Sequence, residues 1–70
     1  MKHIEVEFLE DTEVFFVALW EPKMARRVHT IGKGALCEFD VISETEDCLA
    51  VKDDDIIIYR LPRNKIRINP

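Results

Sequence analysis

The sequence has few of the residues that build catalytic sites. It contains one serine, two cysteines and two histidines in 70 residues, with no histidine near Ser43 and none at a recognisable catalytic spacing from Cys37 or Cys48. Nucleophilic catalysis requires a nucleophile within reach of a base, and the sequence offers no such set. A chain of this length also has little room for an enclosed substrate pocket. We therefore predict that the protein is not an enzyme.

Metal-binding and disulfide patterns are also lacking. His3, His29 and the two cysteines stand singly, without the paired spacing of a zinc site. The strand pairing described below directs the cysteine side chains to opposite faces, so we interpret both as small buried hydrophobic residues. Three consecutive carboxylates at 53–55 lack the spacing of an EF-hand loop and suit a solvated turn. We expect no metal and no cofactor.

Long apolar runs are absent too. The longest, residues 14–20, has seven residues, whereas a membrane-spanning helix needs about 20. An acidic segment precedes this run and no small-residue cleavage site follows it, which argues against a signal peptide. The hydrophobic share of 47% argues against intrinsic disorder. These features predict a cytoplasmic protein without membrane contact, made of a single domain over residues 1–70.

Alternation of apolar and polar residues is the main structural signal, and it predicts strands. Residues 4–8 alternate strictly, and residues 14–20 return after an acidic turn. The hairpin that this arrangement predicts places apolar side chains opposite one another on a single face: Phe8 with Phe15, Val6 with Val17 and Ile4 with Leu19.

A three-stranded meander is predicted in the second half of the chain. Strands at 35–43 and 47–52 are joined by a turn, and Asp53-Asp54 leads into a third strand. The predicted register pairs apolar residues again: Val41 with Leu49, Phe39 with Val51, Val51 with Ile56 and Leu49 with Ile58. A bend that contains Pro62 precedes a last short strand at 65–68, because proline cannot donate to a strand ladder.

The segment between these strands, residues 22–31, is predicted as a short helix or an ordered loop. Met24, Val28 and Ile31 fall on one helical face, and Pro22 suits a first helical position. The whole pattern predicts a mainly β fold, a small barrel or sandwich of about five to six short antiparallel strands. The order of three strands, a proline-containing bend and a short strand resembles the end of an SH3-like or Sm-like barrel, which implies a small closed barrel.

Charge is sorted along the chain. Residues 22–34 and 56–70 each carry four cations and no acid, although the net charge is −4. One interpretation is a contact with nucleic acid or another anion, made by Lys23, Arg26, Arg27, Lys33, Arg63 and Arg67. The other is a solvated surface whose cations pair with acidic strands, together with an edge strand that charge protects from aggregation.

Residues 14–20 are apolar on both faces of the predicted strand, more than one core can cover. Phe16 and Trp20 are therefore the predicted partner-binding residues, for a protein partner or a homodimer. We expect a small accessory or regulatory module that binds a protein or itself. Nucleic-acid binding through residues 22–34 is the alternative. A third hypothesis is that acidic side chains of residues 38–47 meet a basic partner.

Overall fold

The computed structural model describes residues 2–69, which form seven β-strands and one short 3-10 turn. The strands are β1 (Lys2–Phe8), β2 (Thr12–Ala18), β3 (Arg27–Ile31), β4 (Leu36–Glu44), β5 (Cys48–Asp53), β6 (Ile56–Pro62) and β7 (Ile66–Asn69). Neighbouring strands are antiparallel in one sheet, in the order β3-β2-β6-β5-β4-β1-β7. The predicted mainly β fold is confirmed. Residues 2–69 contain no α-helix, and hence none that is long and apolar enough to cross a membrane.

One apolar core is shared by most of the sheet. β1 and β2 are separated by three strands in the sheet order, yet Phe8 and Val14 belong to the same buried cluster. The sheet therefore bends over itself. The other core residues are Ile4, Val6, Phe39, Leu49, Val51, Ile58, Leu61 and Ile66.

The predicted closure of the fold is wrong. The sheet is open, with β3 and β7 as its two free edges, and it has seven strands rather than five or six. It is therefore neither a closed barrel nor a sandwich of two sheets, and the expected SH3-like or Sm-like barrel closure is absent from residues 2–69. The additional strand is β3, which comes from the segment predicted as a helix or loop.

The predicted β1–β2 hairpin is also wrong. β1 pairs with β4 and β7, whereas β2 pairs with β3 and β6. The buried side of β1 is as predicted, but β2 buries Thr12, Val14 and Ala18 while Phe15 is 38% exposed. A strand that is apolar on both faces has no alternation to set its phase. Thr12 is accommodated in the interior because its hydroxyl donates to the Glu10 carbonyl at 2.8 Å.

The segment 22–31 contains no helix. Its first half is an ordered loop, and its second half is the edge strand β3. Arg27 fixes the loop because its guanidinium donates two hydrogen bonds to the Glu21 carboxylate, at 2.6 and 2.7 Å. Val28, Thr30 and Ile31 are β-branched and favour a strand. A helix of this length is marginal without a long packed face, whereas the pairing with β2 satisfies the backbone of β3 directly.

The meander β4-β5-β6 is confirmed, but its registers are shifted. Val41 pairs with Val51 instead of Leu49, and Val51 pairs with Ile58 instead of Ile56. Each ladder contains an irregularity that shifts the register by one residue. The β5–β6 turn is Asp54-Asp55, one residue later than predicted, and Asp54 has a positive φ of 51°. The bend after Pro62 is the 3-10 turn Arg63–Lys65, and it leads into β7 as predicted.

Candidate functional site

The outer face of β3, β2 and β6 carries a group of apolar side chains, which we call the outer patch: Phe15, Val17, Val28, Ile57 and Tyr59. Strand pairing sets Phe15 beside Val28 and Val17 beside Ile57. The rings of Phe15 and Tyr59 lie 6.4 Å apart and are tilted by 34°. Val28 is 55% exposed, and Phe15 is also exposed. An apolar group of this kind on a sheet surface is typical of a binding face.

Two arginines flank the outer patch. The Arg26 guanidinium lies 5.8 Å from the centre of the Tyr59 ring, within cation–π range. Arg26 and Arg60 line a shallow cleft of about 340 Å³ together with Phe15 and Tyr59. Neither arginine has a carboxylate within 4.0 Å among residues 2–69. The two basic segments of the sequence, residues 22–34 and 56–70, therefore meet here through one residue from each.

The loop between β2 and β3 presents further apolar side chains next to this face. Trp20 is 65% exposed, and Leu19 and Met24 are exposed as well. The loop is held in place by the backbone bond from the Leu19 N–H to the Asp55 carbonyl, at 2.7 Å. The Arg27 hydrogen bonds also hold the pKa of Glu21 below its ordinary value. Trp20 is thus displayed by an ordered loop.

A second and larger cleft lies on the inner side of the sheet, beside β3. Its volume is about 550 Å³, and its wall is mostly apolar. Phe16, the other predicted partner-binding residue, lies half-buried in this cleft. The further lining residues are Val14, His29, Thr30, Ile31, Gly32, Cys37, Asp53, Ile56 and Ile58. Phe16 and Trp20 therefore belong to different surfaces.

Cys37 in this inner cleft is not an activated nucleophile. Burial raises the pKa of its thiol, and the nearby charge of Asp53 raises it further. A raised pKa leaves less thiolate at neutral pH, which is the opposite of what nucleophilic catalysis needs. Cys37 and Cys48 are free thiols in the structure. Within residues 2–69, no group of three His, Cys, Asp or Glu side chains is placed to hold a metal ion.

Three of the six residues predicted to contact nucleic acid instead form ion pairs within the protein. Arg27 binds Glu21, Arg63 binds Glu44 at 2.7 Å, and Arg67 binds Glu7. The side-chain cations of Lys23, Arg26 and Lys33 have no carboxylate within 4.0 Å in the described part of the chain. The backbone N–H of Lys33 donates to Asp11 Oδ1 at 2.8 Å. Lys65 also lies 3.8 Å from Glu10. Most of the cations in residues 56–70 are therefore paired with acidic strands and turns.

A pair of carboxylates surrounds His3 on the β1–β4 ladder. Its Nδ1 lies 2.9 Å from Asp40 Oδ1, and its Nε2 lies 3.7 Å from Glu38 Oε1. The hydrogen bond to Asp40 is the main reason why the pKa of His3 is raised above its ordinary value. The group is exposed, so it forms a surface ion pair below that pKa.

The sequence analysis missed Phe15, Val28, Tyr59 and Arg60 as site residues. The predicted register of β2 placed Phe15 on the buried face, and the prediction of a helix or loop at residues 22–31 did not identify Val28 as part of a strand. The β-branched residues of β3 were the signal for a strand at this position. No protein-family model matches the chain, and neither the curated proteins nor the solved structures compared with it give a match.

Proposed function

We propose that this protein is a small non-enzymatic interaction module, accessory or regulatory in role, that binds a protein partner through the outer patch and the neighbouring Trp20 loop. The observation that carries the proposal is the exposed Phe15–Val28 pair on a sheet face, adjoined by an ordered loop with an exposed tryptophan. Large aromatic side chains on a rigid support lose little entropy on binding and are frequent anchors of protein interfaces.

The charges beside the outer patch specify the partner further. Arg26 and Arg60 lie next to the apolar side chains and lack carboxylates of their own among residues 2–69. A partner that supplies apolar side chains flanked by carboxylates would match this surface in both polarity and charge.

Site-specific photo-crosslinking in cells tests the proposal. A photoreactive phenylalanine analogue replaces Val28 in one variant and Leu36 in a matched control. Leu36 is 65% exposed but lies on β4, outside the outer patch. We expect a discrete protein adduct from position 28 and none from position 36. An adduct of twice the chain mass would identify self-association. Identical patterns from both positions would refute the proposal.

Nucleic-acid binding is the second candidate, and the pairing of Arg26 with the Tyr59 ring favours it. Single strands bind to surfaces that combine cations with aromatic rings. Each phosphate contact contributes a slope of about −0.7 in log K against log salt for single strands. A double variant, Arg26→Ala with Arg60→Ala, should therefore make the slope shallower by about 1.4. An absence of binding to labelled single strands at low salt would exclude this candidate.

A further inference from the structure

The inner cleft is walled by an edge of the sheet. Four consecutive residues, His29 to Gly32, line the cleft. Side chains alternate between the two faces of a strand, so a surface that meets four residues in succession meets the backbone edge of that strand. β3 pairs only with β2. Alternate residues of β3 therefore direct their N–H and C=O groups towards the cleft instead of towards a neighbouring strand.

The two edges of the sheet differ in their protection. On β7, Arg67 carries an ion pair with Glu7 of the adjacent strand, and Lys65 reaches Glu10 just before the strand begins. Charges of this kind discourage edge-to-edge pairing. β3 carries one cation, Arg27 at its first residue, which is paired with Glu21, and residues 28–32 carry no Lys, Arg, Asp, Glu or proline. The central part of the β3 edge is thus less protected by charge than β7, where Arg67 lies within the four-residue strand.

Building on the proposed function, we propose that the β3 edge accepts an extended segment of the partner protein as an eighth strand. The cleft-facing side chains of that segment would cover the apolar wall formed by Val14, Phe16, Ile56 and Ile58. Asp53 also lies in the cleft, so these side chains are not acidic. Main-chain hydrogen bonds to β3 supply affinity, and the cleft selects alternate side chains.

The charges around β3 make the segment acidic at its ends. Arg26 precedes the strand and Lys33 follows it, and neither side-chain cation has a carboxylate within 4.0 Å among residues 2–69. The Asp11 carboxylate next to Lys33 accepts the backbone N–H of that residue at 2.8 Å, so Arg26 marks the more strongly basic end of the strand. Antiparallel pairing of β3 with its copy in a second chain would bring Arg26 of each chain towards Lys33 of the other. Like charges directly opposite are destabilising. An acidic partner is therefore favoured over a second copy of this chain.

A synthetic peptide tests the proposal. The probe has seven residues, in which valine alternates with threonine between two terminal glutamates, and its control has lysines in place of the glutamates. Binding is followed in the amide NMR spectrum of the full chain. We expect chemical-shift changes confined to β3 and the cleft wall, together with slower hydrogen exchange in β3. Alkylation of Cys37, measured in a Cys48→Ala background, should also become slower when the peptide is bound. The glutamate peptide should bind at least about fivefold more tightly than the lysine peptide.

Two sets of variants sharpen the test. Val28→Pro and His29→Pro each remove one N–H, and because neighbouring residues of an edge strand alternate, one of the two N–H groups is not bonded to β2. Of these two variants, the one that keeps the thermal midpoint of the wild type should no longer bind the glutamate peptide. As a control on β7, Arg67→Pro or Ile68→Pro, whichever stays folded, should still bind it. Arg26→Glu with Lys33→Glu, which leaves the backbone unchanged, should invert the preference between the two peptides.

The outcomes separate strand addition from the broader proposal. Shifts that map outside β3 and the cleft wall would overturn strand addition. The same conclusion would follow if Arg26→Glu with Lys33→Glu did not invert the preference between the two peptides. If neither peptide binds while the adduct at position 28 persists, the module binds its partner in another way and strand addition is wrong. If neither peptide binds and no adduct forms, both proposals are wrong.

Discussion

The assignment of the buried face of β2 is best tested with two valines of the same strand. Val14 is 1% exposed and belongs to the core, whereas Val17 is half-buried on the outer patch. The register predicted from the sequence has the reverse arrangement, with Val17 facing Val6. Each valine can be changed to alanine, so both variants remove the same two methyl groups from the same strand.

The expected costs differ because the environments differ. At about 0.8 kcal/mol for each buried methylene-sized group, Val14→Ala loses about 1.6 kcal/mol of transfer free energy. A residual cavity brings the destabilisation to about 2 kcal/mol. Val17→Ala removes only partly covered groups and should cost about 0.5 kcal/mol. In a domain of this size the thermal midpoint falls by roughly 4–8 °C for each kcal/mol, so about 8–16 °C separates Val14→Ala from the wild type.

Urea unfolding followed by far-UV circular dichroism measures both costs. The slope of free energy against urea should stay unchanged, which shows that the same surface is exposed in each variant. Total stability for 70 residues is about 4–10 kcal/mol, so both proteins should remain folded at 25 °C. If Val17→Ala lowered the free energy of unfolding by as much as Val14→Ala or more, the assignment of Val14 to the buried face of β2 would be refuted.

Three further predictions follow from titratable groups and turns. The raised pKa of His3 means that the folded protein holds this proton more tightly. The resulting stabilisation is complete below the ordinary His value of about 6.5 and is lost as pH rises through the higher folded pKa. NMR titration should show this pKa falling in Asp40→Asn, and an unchanged value would exclude the hydrogen bond as its cause. Alkylation of Cys37 should be slow at neutral pH and faster in Asp53→Asn, because one cause of the raised pKa is removed; an equal rate in that variant would contradict the electrostatic contribution. Asp54→Gly should raise stability by about 0.5 kcal/mol in urea unfolding, because glycine adopts the positive φ of this turn without strain, and a lower midpoint would contradict the turn geometry.

The parts of the fold that the sequence predicted are those with strict alternation or strong turn signals. β1 alternates glutamate with apolar residues, so its buried face has one solution. The meander is marked by acidic turns and the final bend by Pro62. Its registers escaped prediction because each turn lies one residue later than predicted, which moves the pairing by two residues, and an irregularity in each ladder shifts the register by one residue more.

The candidate site was harder to predict because it depends on pairing across the chain. Trp20 was identified because residues 14–20 are apolar on both faces of the predicted strand, and its side chain is exposed. The outer patch forms only when β2 is placed between β3 and β6. A local hairpin between β1 and β2 is the simplest arrangement for adjacent strands, and non-local pairing overrides it here. The free cations likewise became distinguishable from the paired ones only after Glu7, Glu21 and Glu44 were placed.

The position of β1 in the sheet affects the order in which the molecule can assemble. β1 is synthesised before both of its neighbours in the sheet, β4 and β7, and Glu5 pairs with Asn69. One edge of β1 therefore stays unpaired until β4 is available, and the other stays unpaired until β7 is available. Such non-local pairing is slow because a long loop must close before any contact compensates its entropy. We expect folding in milliseconds to seconds. During that interval the unpaired edges of β1 are open to pairing with other chains.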